Sequence, residues 1–150
     1  MSKTLVIGNG FLGSYLAKHL KAETLSLHDA DYEGSVLDTK LLKHALKGKT
    51  LVVFTIGFPP TDFSSKHFLA VKAIKKLIPL HKGKLVYISA EGAEHTKHHS
   101  YFKAKGQCEQ LLKKRPKTLC LRPSVLAEPG NVLLEKVGKL PILLCPQGII

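Results

Sequence analysis

Short apolar runs alternate with amphipathic stretches along this chain, and that alternation sets the order of its elements. Runs rich in Val, Ile and Leu predict strands at Thr4–Gly8, Thr24–His28, Leu51–Thr55, Lys84–Ser89 and Thr118–Arg122. Most show little polar alternation, as expected for a parallel sheet covered on both faces. Between them, Leu12, Tyr15, Leu16 and Leu20 recur at three- and four-residue spacing, as do Leu41, Leu42, Ala45 and Leu46. Both sets predict helices. Phe68, Leu69, Val71, Ile74, Leu77 and Ile78 mark a longer helix that Pro79 helps to end. A fourth helix is predicted from about Ser100 to Lys114, with Phe102, Cys108, Leu111 and Leu112 facing inward. Glu33–Leu37 reads as a further short strand, and Asn131–Gly138 as an amphipathic helix. The fold class that follows is α/β: a Rossmann-type, doubly wound, mostly parallel sheet flanked by helices on both faces.

Length and composition narrow this picture. One hundred and fifty residues, 44% apolar and 23% charged, make a single globular domain. That is room for a nucleotide-binding core but not for a substrate domain beside it. No apolar run reaches the roughly eighteen residues of a membrane span. The start at Met1-Ser2-Lys3 leads directly into the first strand, so no signal or transit peptide is expected and a cytoplasmic location is. Cys108, Cys120 and Cys145 are too few and scattered for a disulfide framework or a zinc site. His95, His98 and His99 have no Cys or carboxylate pattern to complete a metal site, so no metal is expected. The net charge of +12 raises the question of a polyanionic partner. Against it, the basic residues are dispersed, only Arg115 and Arg122 are Arg, and aromatics are 7% with no Trp. Nucleic acid, which favours Arg forks and stacking platforms, is therefore disfavoured.

The first strand runs into Gly8-Asn9-Gly10-Phe11-Leu12-Gly13, a G-x-G-x-x-G that opens directly into a helix. In that context Gly8 permits the tight turn, Gly10 lets a pyrophosphate approach the backbone, and Gly13 lets helix and strand pack closely. The helix N-terminus then offers free N–H groups to the phosphates. Asp29 follows the second strand, with Asp31 as a substitute; a carboxylate there accepts from ribose hydroxyls and repels a 2′-phosphate. No Lys or Arg lies between Glu23 and Ser35, so NAD is favoured over NADP. The competing reading of Asp29 and Asp31 is a pair of solvated turn residues, in a segment that holds five of the eleven acids. Further along, Tyr101 and Lys105 stand at i and i+4 on one helix face. An ammonium there lowers the phenol's pKa and can hold ribose hydroxyls, leaving the Tyr as acid/base for hydride transfer.

With these motifs in order, the chain resembles the short-chain dehydrogenase/reductase superfamily, and most its atypical, NAD-dependent epimerase-like branch. The resemblance rests on Gly8–Gly13, on Tyr101 and Lys105 with Glu109 four residues later, and on Leu121-Arg122-Pro123-Ser124. Ser35-Val36-Leu37-Asp38 and Val86-Tyr87-Ile88-Ser89 fit it in order, over roughly Lys3 to Asn131. It implies that Ser35 and Val36 line the adenine and that Thr55, with Gly57 in the segment to Phe58, passes near the nicotinamide ribose. It implies Tyr101 and Lys105 as catalytic residues, with Ser89 as the stand-in for the family's hydroxyl residue, whose usual place is taken by Glu91. A glycine that the branch usually carries is replaced by Ile7, and the loop from Ser89 to Tyr101 is short. The implied function is oxidoreductase or sugar-nucleotide epimerase-like hydride transfer on an unnamed small molecule. The alternative is a non-catalytic dinucleotide-binding scaffold, sensor or accessory subunit. The family's substrate portion is expected to be cut off after about residue 130, and the apolar tail Leu140–Ile150 to be covered by a second copy or a partner chain.

Overall fold

Thr4–Ile7 (β1) is the chain's first stretch of unbroken apolar character, and its last three residues are fully buried. The computed structural model describes residues 2–58, 65–94 and 100–123. From β1 the chain passes through α1 (Phe11–Leu20), β2 (Glu23–Ser26), β3 (Tyr32–Glu33), α2 (Thr39–Leu46) and β4 (Leu51–Phe54). A 3₁₀ turn (Ser65–Phe68) then leads to α3 (Leu69–Leu80), β5 (Lys84–Ile88), α4 (Ser100–Leu112) and β6 (Thr118–Leu121). The six strands form one parallel sheet in the order β3-β2-β1-β4-β5-β6. Sequence order therefore reverses between β1 and β4, which opens a crevice at the carboxyl ends of those two strands.

The pleat sorts the strands' side chains into two cores. Leu5, Ile7, Val52, Phe54, Leu85 and Tyr87 join residues of α2, α3 and α4 on one face. Val6 and Val53 pack with Ala17 of α1 on the other. Register aligns Val6 with Val53, Val53 with Val86, and Val86 with Leu119. Along that row burial falls away: Val6 and Val53 are covered, Val86 half-buried, and Leu119 is 54% exposed. Leu121, beside Ile88 on the same face, is exposed too. No helix among the described residues is long and apolar enough to cross a membrane.

Three predicted elements differ from the fold. β3 covers Tyr32–Glu33 and not Glu33–Leu37, because local turn chemistry claims the later residues. Gly34 has φ +142°, Asp38 N–H donates to the Ser35 carbonyl, and the Asp38 carboxylate caps α2 by accepting from the N–H groups of Lys40 and Leu41. Pro79 sits inside the last turn of α3, which ends one residue later with His81 N–H on the Leu77 carbonyl. α4 stops at Leu112, short of Lys114. The helix expected at 131–138 and the tail from Leu140 lie outside the described residues.

A buried ion pair fastens the end of the sheet remote from the crevice. The Glu23 carboxylate accepts from the ammonium of Lys49, from the Tyr32 hydroxyl at 2.8 Å and from Ser2 N–H at 3.0 Å. Lys49, itself 8% exposed, also donates to the Ser2 carbonyl. Lys49 first, and Tyr32 next, hold the Glu23 pKa down at about 2 from an ordinary 4.5. A carboxyl whose folded pKa is depressed contributes stability above its unfolded pKa and loses it as pH falls. The expected outcome is an acid-sensitive term of at least about 1 kcal/mol lost between pH 4.5 and 2, after allowance for solvent screening. Glu23→Gln should lower the melting temperature at pH 7 and show none of that extra acid loss; equal acid profiles for the two proteins would remove the assignment.

Candidate functional site

The reversal of strand order places the β1–α1 turn at the centre of a cavity of about 580 Å³. Gly8 has φ +105°, a conformation L side chains rarely adopt, and an added Cβ would stand 2.7 Å from Thr55 Oγ1. Gly13 packs against this turn so closely that a Cβ would fall 1.8 Å from the Gly8 carbonyl oxygen. Thr55 braces the same corner, its hydroxyl reaching the carbonyls of Ile7 (3.1 Å) and Gly8 (2.9 Å). Gly10 differs: a Cβ there would meet no protein atom within 4 Å. It is the N-cap of α1, no side chain caps the helix, and no acid stands in its first turn. The leading N–H groups of α1 thus open on unfilled space, the arrangement that receives an anion.

From this turn the cavity extends in two directions. One wall carries Leu25, Ser26 and Leu27 at the end of β2, with Gly34, Ser35 and Val36 beyond. The other carries Thr55, Ile56, Gly57 and Phe58 after β4, Leu69 of α3, Ile88, Ser89 and Ala90 at the end of β5, then Tyr101, Lys105 and Pro123. Gly8, Asn9, Gly10, Phe11, Leu12 and Gly13 line the middle. The structure so brings every sequence-predicted site residue to one cavity save Asp29. Asp29 lies exposed beyond the rim with φ +53°, its carbonyl accepting from the Asn9 side chain. Asp31 is occupied elsewhere: its Oδ2 accepts from both the N–H and the hydroxyl of Thr24. Leu27 and Leu69 escaped the sequence reading. Leu27 directly follows β2 and was legible as the residue at a strand's carboxyl end; nothing in the sequence pointed to Leu69.

Lys105 is the only Lys or Arg lining the cavity among the described residues, and it is 5% exposed. Its ammonium donates to the Ile88 carbonyl at 2.7 Å and lies 5.3 Å from the Tyr87 ring and 5.7 Å from the Tyr101 ring. Gly57 makes this placement feasible, since a Cβ there would come within 3.1 Å of the Lys105 nitrogen. Burial pulls the Lys105 pKa from 10.5 down to about 8. Tyr101 is half-buried, edge-on to His67 and to Phe102, and burial pushes its pKa up. Burial disfavours the phenolate, so the phenol pKa lies above its ordinary value and not below it, as was expected beside an ammonium. Ser89 is 3% exposed and its hydroxyl makes no hydrogen bond of normal geometry, though it stands near enough to Glu109 to favour that carboxylate's charge. Glu109 itself is engaged outside the cavity in a two-pronged pair with Arg122 (2.8 and 2.6 Å), and Arg122 also holds Glu94. These contacts tie α4, the end of β6 and the turn after β5 together at the rim. Glu91 does not line the cavity, and His95, His98, His99 and Ser124 lie outside the described residues.

Two consequences can be measured without a ligand. Gly13→Ala should destabilise the fold by about 2 kcal/mol or more, because backbone must move, whereas Gly10→Ala should leave the melting temperature within a few degrees of the parent. Equal losses in the two variants would contradict this division of labour. For Lys105 the folded pKa lies below the unfolded one, so the folded state is penalised below pH 8 and gains stability as pH rises from 8 to 10.5. Denaturant titrations should show that gain, on the order of 1–3 kcal/mol, in the parent and not in Lys105→Met.

No protein-family model and no curated protein matches the chain. Solved structures do. A short-chain dehydrogenase/reductase superfamily protein from Agrobacterium tumefaciens with bound NAD is similar over 79% of this chain and 48% of its own, with a TM-score of 0.67 and 18% identity. A GalE-like L-threonine dehydrogenase from Cupriavidus necator is similar over 81% of this chain and 54% of its own, with a TM-score of 0.67 and 15% identity. A GDP-L-fucose synthetase from Naegleria fowleri bound to NADP is similar over 83% and 51%, with a TM-score of 0.54 and 14% identity. The chain thus spans about half the length of these structures. In its architecture the described chain carries the same Rossmann-type, parallel α/β fold as these solved structures.

Proposed function

We propose that the cavity binds a nicotinamide dinucleotide, NAD(H) in preference to NADP(H), and that Tyr101 and Lys105 serve hydride transfer to a carbonyl carbon. The observation that carries this reading is a single cavity with an uncapped helix N-terminus at its middle and a buried Lys105–Tyr101 pair at one end. The residues present fit the group. The N–H groups opening α1 would take the pyrophosphate, over the space left by Gly10. The wall of Leu27, Ser35 and Val36 would take the adenine, and Thr55 and Gly57 would flank the second ribose. With Asp31 tied to Thr24, Asp29 is the acid left for the adenosine ribose, and no cation of that wall would receive a 2′-phosphate.

When bound, the nicotinamide ring supplies or accepts the hydride. Lys105, fixed by the Ile88 carbonyl, keeps two further N–H donors for ribose hydroxyls. Tyr101, kept protonated by burial, is suited to give its proton to a carbonyl oxygen as hydride arrives at the carbon. Oxidoreductase or epimerase-like turnover both use this step, on a substrate whose identity the fold does not supply. One observation favours a second reading, a non-catalytic dinucleotide-binding scaffold, sensor or accessory subunit: Glu91, at the usual place of the family's hydroxyl residue, does not line the cavity.

The deciding experiment is thermal. NADH should raise the melting temperature by several degrees, and Gly10→Val should abolish that shift while the variant still folds. No shift with NADH or NADPH would end the dinucleotide reading. Given a shift, NADH oxidation driven by a panel of aldehydes, ketones and sugar nucleotides should vanish in Tyr101→Phe, with a loss of at least about a hundredfold. Turnover unchanged by that substitution would remove Tyr101 from the mechanism, and binding without turnover of any of these substrates would leave the scaffold reading.

A further inference from the structure

The β1–α1 turn and the loop after β2 are joined by one side chain. Asn9 stands between Gly8 and Gly10, and its Nδ2 donates to the backbone carbonyl of Asp29, twenty residues on. Asp29 has φ +53°, in the left-handed region, which Asp enters more readily than most non-glycine residues but still at a cost. Two residues later the loop is anchored again. Asp31 Oδ2 accepts from Thr24 N–H at 2.8 Å and Thr24 hydroxyl at 3.0 Å, and Asp31 N–H reaches the same hydroxyl at 3.1 Å. The stretch from Asp29 to Asp31 is therefore tethered to the phosphate-facing turn at one end and to β2 at the other.

From this geometry we infer that Asn9 is a positioning residue that sets the choice between the two nicotinamide dinucleotides, acting through Asp29. The inference rests on the dinucleotide reading above. Its chemical logic is preorganisation. A carboxylate whose backbone is already fixed meets a ribose diol without an ordering cost, and a 2′-phosphate without the means to retreat from it. Asn9 is uncharged and its donor is committed to the Asp29 carbonyl, so it offers no cation to that phosphate. Removing the tether lets Asp29 relax out of its left-handed conformation. Attraction to the diol and repulsion of the phosphate should then fall together.

The test is fluorescence titration of NADH and NADPH into the full chain and its variants. The parent should prefer NADH. Asn9→Ala should reduce the NADH preference roughly three- to ten-fold, the range one hydrogen bond supports, by weakening NADH while NADPH is unchanged or tighter. In an Asp29→Asn background the same Asn9→Ala change should leave the preference where Asp29→Asn put it, because the two residues act as one unit. Equal loss of both dinucleotides in Asn9→Ala, or additive effects of the two substitutions on the preference, would overturn the inference while leaving dinucleotide binding intact. Should Asn9→Ala fail to fold, Asn9→Ser, too short to span to the Asp29 carbonyl, gives the same readout. A parent that binds neither dinucleotide would overturn the proposed function itself, and with it this inference.

Discussion

The approach of Gly13 to the Gly8 carbonyl is the constraint on which the rest of the site depends. Helix α1 can lie against the end of β1 only because neither position carries a Cβ, and Thr55 locks the corner from the neighbouring strand. That contact aims the helix axis at the crevice between β1 and β4, where strand order reverses. The uncapped N–H groups, the open space above Gly10 and the two cavity walls all take their positions from it. The same three-glycine spacing thus serves packing at its ends and openness in its middle.

At the far end of the cavity the governing term is desolvation. Among the described residues no carboxylate lines the cavity beside Lys105, whose charge is supported by one carbonyl, two aromatic faces and, from outside the cavity, Glu109. Such a buried cation weakens the folded state while nothing occupies the cavity, and an anionic or hydroxyl-rich ligand removes much of that penalty. Tyr101 obeys the same physics with the opposite charge. Its phenolate is the form that burial disfavours, so it remains a proton donor. Gly57 belongs with this pair and not with the β1–α1 turn, since its missing side chain is what admits the ammonium.

How much of this was legible beforehand follows from the range of each interaction. The parallel sheet was legible because burial on both faces writes itself into contiguous apolar runs such as Leu51–Phe54. The turn Gly8–Gly13 was legible because all three glycines fall within six residues. β3 was misplaced because Gly34 and the Asp38 cap act over two or three residues and outweigh the apolar pattern of Val36 and Leu37. Contacts across the chain left no periodic signature. Asn9 with Asp29, Thr55 with Gly8, and Glu109 with Arg122 are separated by 20, 47 and 13 residues respectively. Nor does a Lys four places after a Tyr declare its burial, because the spacing fixes a shared helix face and not what packs against it.

The fading burial along Val6, Val53, Val86 and Leu119 has a consequence for how the molecule behaves in crowded solution. β6 presents Leu119 and Leu121 outward at the margin of the described sheet, where backbone groups and apolar side chains together form a template for strand addition. Lys117 precedes this strand, and the net charge of +12 makes approaching copies repel one another. The dispersed positive charge that argued against a nucleic-acid partner acquires a role here. It keeps the exposed Leu119 and Leu121 of separate copies apart, so colloidal stability should be greatest at low ionic strength and decline as salt screens the lysines.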